Sequence, residues 1–474
     1  MLRISGVSSG WFFYVVYGLL FLFTCTNPFF WDTIHLASMQ AQWYYNNDFR
    51  HFILPPEFDS GHPPLFSILL ALWWKTFKPT LFFSHLLMLP FLLLMLRQVI
   101  LLCRYLYDGE VYLFAAAIVL FNTIAMGQSA LVSPDIVLYS FFFFTLNGVL
   151  RNKKWKILAG ALLLSAISMR GMMCVVCLFA FQCSLMWYAE KRFVLKDVFH
   201  TFFLYLPAVI LFAAFLFVHY NETGWIGYHK NSPWSPSYRQ VDVNGILKNI
   251  AILGWRFLDF GNAFIWLVFG TAVLFIKKPK LIFSKRSGLL FTLLIILLLI
   301  LVIPQLFYEQ LLAHRYLFPV IAIASLFIFS VADENINRNT LKKFSGVVVA
   351  GMLSGVLWVY PDNISKGWDS TPAHLPYYRL REKALDYIHA KKIIPGETGA
   401  SFPYNEPAVY IDLGKDTARF AEKNLQQNKY ILYSNIANDF TDAELKELKS
   451  KWITEKQFGN WPVRFVVYKN PAYK

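Results

Sequence analysis

Between residues 11 and 361 the sequence returns repeatedly to uninterrupted apolar runs, and few folds can hold them. A helical crossing of a bilayer needs roughly 20 apolar residues, and backbone in lipid must satisfy its own hydrogen bonds. The runs lie near 11–30, 80–103, 111–127, 132–150, 157–170, 172–189, 198–219, 263–276, 287–304, 311–331 and 345–361. They predict about eleven spans in a polytopic α-helical membrane protein. A further run, 65–76 (LFSILLALWWKT), is too short for a full crossing and reads as an interfacial or re-entrant helix. The chain is 57% hydrophobic and only 15% charged, outside the range of soluble domains. The first run lacks a small-residue cleavage site after it, so it reads as a retained helix rather than a signal peptide.

Positive charge sets orientation, because cytoplasmic loops collect Lys and Arg. Arg3 precedes the first span, and basic clusters follow at 151–156, 191–196, 277–286 and 338–343. Within them, Arg192, Lys277, Lys278 and Lys280 carry part of the signal. With Arg3 inside, all of these loops face the cytoplasm. The outer side then receives loop 31–64, the turn before Asp135, loop 220–262, and everything after 361. The formal net charge of +15 therefore reads as loop orientation and contact with membrane lipids, not as nucleic-acid binding. Two domains follow: 1–361, membrane-embedded, and 362–474, a small extracytoplasmic α/β domain. In the second, Leu380–Lys392 has helical spacing, Tyr430–Tyr433 and Val463–Tyr468 are β-like, and Thr441 with Glu444 forms a capping-box pattern. The five cysteines all lie in apolar segments before residue 184 and read as buried thiols.

Loop 31–64 is the densest polar stretch beside the lipid, with Asp32, His35, Asp48, Glu57, Asp59 and His62. Ionisable groups there are costly unless they are used. Asp32 follows the first span and Asp135 opens the fourth, so both come to one membrane face, where two carboxylates suit a base and its partner. His62 stands before Pro63-Pro64, whose rigid backbone can hold it over a cavity. Asp32, His35 and Asp59 together could take a divalent metal ion, although their spacing matches no strict motif. Arg170 interrupts ISMRGMMCVV: it lies at the outer face if the helix breaks there, and inside the membrane if it does not. Arg315 with Tyr316, four residues before Pro319, stands at the start of the tenth span. Both guanidiniums suit phosphate recognition. In loop 220–262, Tyr228, Trp234 and Tyr238 mixed with polar groups suit sugar stacking.

Five features together resemble one family. They are the acid after the first helix, the Pro-Pro-Leu entry at 63–65, the Ser133-Pro134-Asp135 turn, the Arg170-Gly171 step and the RYxxP motif at Arg315–Pro319. The family is the GT-C membrane glycosyltransferases of family 39, the protein O-mannosyltransferase and aminoarabinose-transferase branch, over residues 10–330. The resemblance implies a polyprenyl-phosphate sugar donor and a lipid, glycan or protein acceptor on the periplasmic side of the inner (cytoplasmic) membrane. It implies Asp32 as catalytic base, with Asp135 and His62 beside it. It implies Arg170, Arg315 and Tyr316 at the donor phosphate. Where relatives carry Asp-Glu after the first helix, this chain has Asp32-Thr33, so Asp59 is the candidate for a second carboxylate. A polytopic transporter or flippase for a lipid-linked glycan is the alternative; it would carry inverted repeats and mid-membrane charges, and no repeat is visible.

Overall fold

The computed structural model describes residues 10–191, 194–227, 229–230, 234–270, 274, 284–309, 312–358, 360, 366–437 and 439–473. Arg3, Arg192, Tyr228, Lys277, Lys278, Lys280 and the boundary at 361 lie outside the described residues. Among those described, six helices are long and apolar enough to cross a membrane: Leu81–Leu106, Met169–Ala189, Leu195–Thr223, Lys285–Phe307, His314–Asn335 and Arg338–Leu357. Two bent pairs raise this to eight if each is one span: Val111–Leu120 with Thr123–Ser129, at 61°, and Val243–Leu258 with Ala263–Gly270, at 74°. Shorter apolar helices occupy Trp11–Thr24, Leu65–Thr76 and Pro134–Leu150. The protein is a multi-pass membrane protein, but its apolar runs are not each a straight crossing.

The departures from expectation have local causes. Run 111–127 bends because Asn122 accepts a hydrogen bond from the Ile124 backbone N–H at 3.0 Å and starts a new helix. Loop 220–262 is largely helix. Val243, Leu247, Ile250 and Leu258 recur at helical spacing and point outward, while Asn249 is buried and donates to the carbonyls of Leu306 and Tyr308. Such an apolar outer stripe suits lipid rather than an aqueous loop. Arg338, Lys342 and Lys343 lie in the first turns of the Arg338–Ser354 helix, not in a loop. All five cysteines are free.

His314–Asn335 is the central helix: 78% of its apolar window is buried, against 22% for Leu195–Thr223. Each end carries a charge cluster. At its far end, Asp333 and Glu334 pair with Arg286 at 2.8 and 3.2 Å. At its start stand His314 and Arg315. The rise of 1.5 Å per residue puts these clusters roughly 27 Å apart, about the thickness of the hydrocarbon layer. The Arg315 end is therefore a membrane edge.

On that edge sits a mixed sheet of β1 (Thr398–Ala400), β2 (Ala421–Glu422), β3 (Tyr430–Ser434), β4 (Ile453–Phe458) and β5 (Phe465–Lys469), ordered β2-β1-β3-β5-β4. β1 pairs in parallel with β2 and β3, while β5 is antiparallel to β3 and β4. Alternation along β3 and β5 divides the core. Leu432, Phe465 and Val467 face the Pro376–Ala390 helix; Ile431, Tyr433, Val466 and Tyr468 face Asp442–Lys451. The capping box at Thr441 and Glu444 is formed.

The α/β unit is fastened to the helices. The Phe29 N–H donates to the Ile411 carbonyl at 2.9 Å, and Gln128 donates to the Asp369 carbonyl at 2.8 Å. Phe30 stacks on His374 with ring centroids 4.7 Å apart and shares a core with Trp368 and Tyr377. Burying one such ring stabilises the junction by about 1.5–3 kcal/mol.

Candidate active site

The site forms where four chain segments meet at the Arg315 end of the central helix. The first is the turn after Trp11–Thr24. Trp31 takes a left-handed conformation there (φ 51°), unusual for a bulky residue, and delivers Asp32. Thr33 is tied into the same turn: its hydroxyl accepts from the Phe30 N–H at 3.0 Å and donates to the Phe30 carbonyl at 2.8 Å. Thr33 thus shapes the turn that presents Asp32.

The second segment is the start of Pro134–Leu150. Ser133 caps this helix through the Asp135 N–H at 3.2 Å, which leaves the Asp135 carboxylate in the first turn. The third is the break at Ser168, whose extended backbone (φ −168°, ψ 164°) separates Lys154–Ile167 from Met169–Glu190. Of the two readings of Arg170, the structure takes the break. A Cβ on Gly171 would lie 1.9 Å from the Leu164 carbonyl oxygen, so the small residue lets the hairpin close. Arg170 then reaches Asp135 at 2.7 Å.

The fourth is the central helix. Pro319 cannot donate to the carbonyl four residues back. That carbonyl belongs to Arg315, and the Tyr139 hydroxyl donates to it instead, at 2.7 Å. The RYxxP motif thereby locks Arg315 in place. Its guanidinium meets three carboxylates: one N–H donates to Asp32, another to Asp369, and Nε lies 3.4 Å from Asp135. It also donates to the Tyr316 hydroxyl at 3.1 Å. The Tyr316 ring lies 3.9 Å from the Arg170 guanidinium and 4.9 Å from that of Arg315. Asp32, Asp135, Arg170, Arg315 and Tyr316 are all brought together.

Sequence reading missed Asp369. It lies in the polar tail, where an acid is unremarkable, and the turn that carries it is fixed by long-range contacts. It supplies the carboxylate that Asp59 was expected to supply. Asp59 is instead engaged elsewhere, accepting from the Gly61 N–H at 2.7 Å and lying 2.8 Å from His219 Nε2. His35 faces Glu406 at 3.5 Å. Asp32, His35 and Asp59 therefore do not converge, and no group of three metal-binding side chains occurs among the described residues. The divalent site expected from them does not fit this arrangement.

His62 lines a small cavity of about 30 Å³ with Asp135, Arg170 and Ser168. Its Nδ1 is buried without a hydrogen-bond partner. Burial, reinforced by the Arg170 charge, pushes its pKa down to about 4, so the ring is neutral near pH 7. A second network adjoins Arg315 along the chain, through its neighbour His314. The Asp259 carboxylate accepts from the Tyr360 hydroxyl, lies 2.8 Å from His314 Nε2 and sits 3.9 Å from Arg256.

Asp32, His62, His314 and Arg315 line a cavity of about 790 Å³ that the α/β unit closes from above with Asp369 and Glu406. Asp32 is the most open of the three aspartates, its side chain 24% exposed against 5% for Asp135 and 9% for Asp369. Chemically, the site offers an accessible carboxylate, two fixed guanidiniums and space for a ligand of sugar size.

No family model matches the sequence, and no curated protein matches it. Two solved structures match the whole fold. One is ArnT from Cupriavidus metallidurans bound to undecaprenyl phosphate: TM-score 0.56, 10% identity, covering 97% of this chain and 98% of that one. The other is the same protein in the apo state: TM-score 0.53, 11% identity, covering 98% of each chain. The fold is similar to that of ArnT over nearly the full length of both chains.

Proposed function

We propose that this chain is a membrane glycosyltransferase. In this reading it moves a sugar from a polyprenyl-phosphate donor to a hydroxyl of a lipid, glycan or protein at the outer face of the cytoplasmic membrane. The observation that carries it is the pairing of Arg170 and Arg315 against Tyr316 at a membrane edge, beside the open carboxylate of Asp32. The fold is shared with ArnT, one structure of which is bound to undecaprenyl phosphate.

The chemistry needs little else. Phosphate is already a leaving group, so the enzyme must take one proton and stabilise one departing charge. The acceptor oxygen attacks the anomeric carbon, the bond from that carbon to the phosphate oxygen breaks, and the electron pair leaves on phosphate. The acceptor proton passes to Asp32. Two guanidiniums face three aspartates here, so an arriving phosphate competes with those aspartates for Arg315. Asp32, the most exposed, is the partner we assign to yield. Its release from Arg315 frees a carboxylate oxygen to take the acceptor proton when the donor is in place.

The test is undecaprenyl-phosphate binding to the full chain in lipid nanodiscs. Arg170→Ala and Arg315→Ala should each weaken binding by about tenfold or more, the value of a lost charge-assisted contact. Asp32→Asn should keep binding and lose transfer by roughly 10²- to 10⁴-fold. A wild-type chain that ignores the lipid would sink the proposal. The two bent helix pairs also suit a flippase. That reading expects lipid-linked glycan to cross vesicles that contain no acceptor.

A further inference from the structure

The cavity has a second wall with no part in phosphate chemistry. Trp31 packs edge-on to Phe402 with ring centroids 5.5 Å apart, and His35 lies 4.8 Å from Phe402 and 5.6 Å from Trp234. All four line the cavity together with Asn405 and Glu406. Each is only partly buried, so rings and polar groups face the open space together. Asn405 donates to Glu422 at 3.1 Å, while its Oδ1 is buried without a hydrogen-bond partner. Among the described residues, the Glu406 carboxylate meets a single side chain, His35 at 3.5 Å, and keeps acceptor capacity.

We propose that this wall of Trp31, His35, Trp234, Phe402, Asn405 and Glu406 is a subsite for an uncharged saccharide ring of the acceptor. The assignment rests on the glycosyltransferase reading and deepens it. A pyranose offers apolar C–H faces and a rim of hydroxyls. Aromatic rings cover the first, and a carboxylate and an amide bond the second. Asp439, hydrogen-bonded to the Phe402 backbone, also lines the cavity and with Glu406 disfavours an anionic ligand on this side. Geometry separates acceptor from donor. The donor lipid must keep its chain among the helices, so its sugar enters on the side of Arg170 and Arg315. Phe402, Asn405 and Glu406 belong to the α/β unit, outside the apolar spans, and meet whatever arrives from the aqueous side. The α/β unit thus selects the acceptor.

The experiment uses the full chain in lipid nanodiscs, free of sugar-based detergent. A panel of neutral methyl hexopyranosides is the probe, and saturation-transfer NMR reads binding at the ring protons. Undecaprenyl-phosphate binding is measured in parallel. Wild type should bind at least one glycoside. Glu406→Gln should weaken that binding by about tenfold, the loss of one charge-assisted hydrogen bond. Phe402→Leu, which keeps an apolar side chain in the same place, should also weaken it. Both variants should bind undecaprenyl phosphate as wild type does. If no glycoside binds wild type, or if binding survives both substitutions, the subsite is overturned. Loss of undecaprenyl-phosphate binding by wild type would instead overturn the glycosyltransferase reading, whatever the glycosides do.

Discussion

Arg315 is the residue on which the site turns. It is buried, and Asp32, Asp135 and Asp369 all address it. Removing one member of a buried charge cluster leaves the others uncompensated, typically at 3–5 kcal/mol. Arg315→Ala should therefore lower thermal stability by about that much as well as abolish activity. Arg315→Lys keeps the charge but not the planar fork, so it should recover part of the stability and little of the transfer. A thermal melt beside a transfer assay checks both, and equal stability of Arg315→Ala and wild type would contradict the cluster. At this scale much of the site was legible. Asp32, Asp135, Arg170 and Arg315 stand out because charge beside lipid is expensive, and the structure unites all four. Asp369 was not legible, because a lone acid in a polar tail carries no such signal. Asp59 and His35 misled for the opposite reason: they are close to Asp32 in sequence, but their partners, His219 and Glu406, come from distant segments.

Among elements, the short turn Trp368–Ser370 does most to couple the two parts of the molecule. It crosses the Thr123–Ser129 helix at Gly127, where a Cβ would lie 2.5 Å from the Thr371 nitrogen. Gly127→Ala should push this turn away and draw Asp369 off Arg315, at a cost of about 1–3 kcal/mol for overpacking. Faster hydrogen exchange over residues 366–375 would report it; unchanged exchange there would contradict the coupling. Just beyond the turn, His374 is buried against Phe30, with Nδ1 2.7 Å from the Thr371 carbonyl. Burial pushes its pKa from 6.5 down to about 4. A histidine neutral in the fold and charged when unfolded lends stability above about pH 6.5, and that stability is lost as pH falls toward 4. His62 adds in the same direction. The unfolding free energy should therefore drop on acidification through this window, by roughly 3 kcal/mol for each ring that becomes fully charged only on unfolding, and the melting temperature should fall with it. His374→Gln, which retains a donor, should flatten the dependence. Elements were read well where the signal was local, as in the Thr441 capping box, β3 and β5. They were misread where a side chain redirected the backbone, as at Asn122, or where an apolar stripe faced outward, as in Val243–Leu258.

For the whole molecule, the apolar runs dictated a multi-pass helical protein, and the structure bears this out. What they could not give is how the α/β unit sits. Residues 362–474 read as an independent domain by composition. In the structure Phe30 belongs to the core of that unit, and Asp369 and Glu406 belong to the walls of the membrane site. Such contacts link residues hundreds of positions apart and leave no trace in local pattern. The arrangement makes one chamber from two parts, the helices supplying Asp32 and Arg315, the α/β unit supplying the roof. The central claim is that this chamber transfers a sugar through Asp32. The most direct measurement is mass spectrometry of lipids, glycans and glycoproteins from cells lacking the gene, complemented either with the wild-type chain or with Asp32→Asn at equal membrane abundance. The account predicts that one class of molecule loses a single sugar on deletion, regains it with wild type and does not regain it with Asp32→Asn. Full restoration by Asp32→Asn, or no missing sugar in any class, would contradict it.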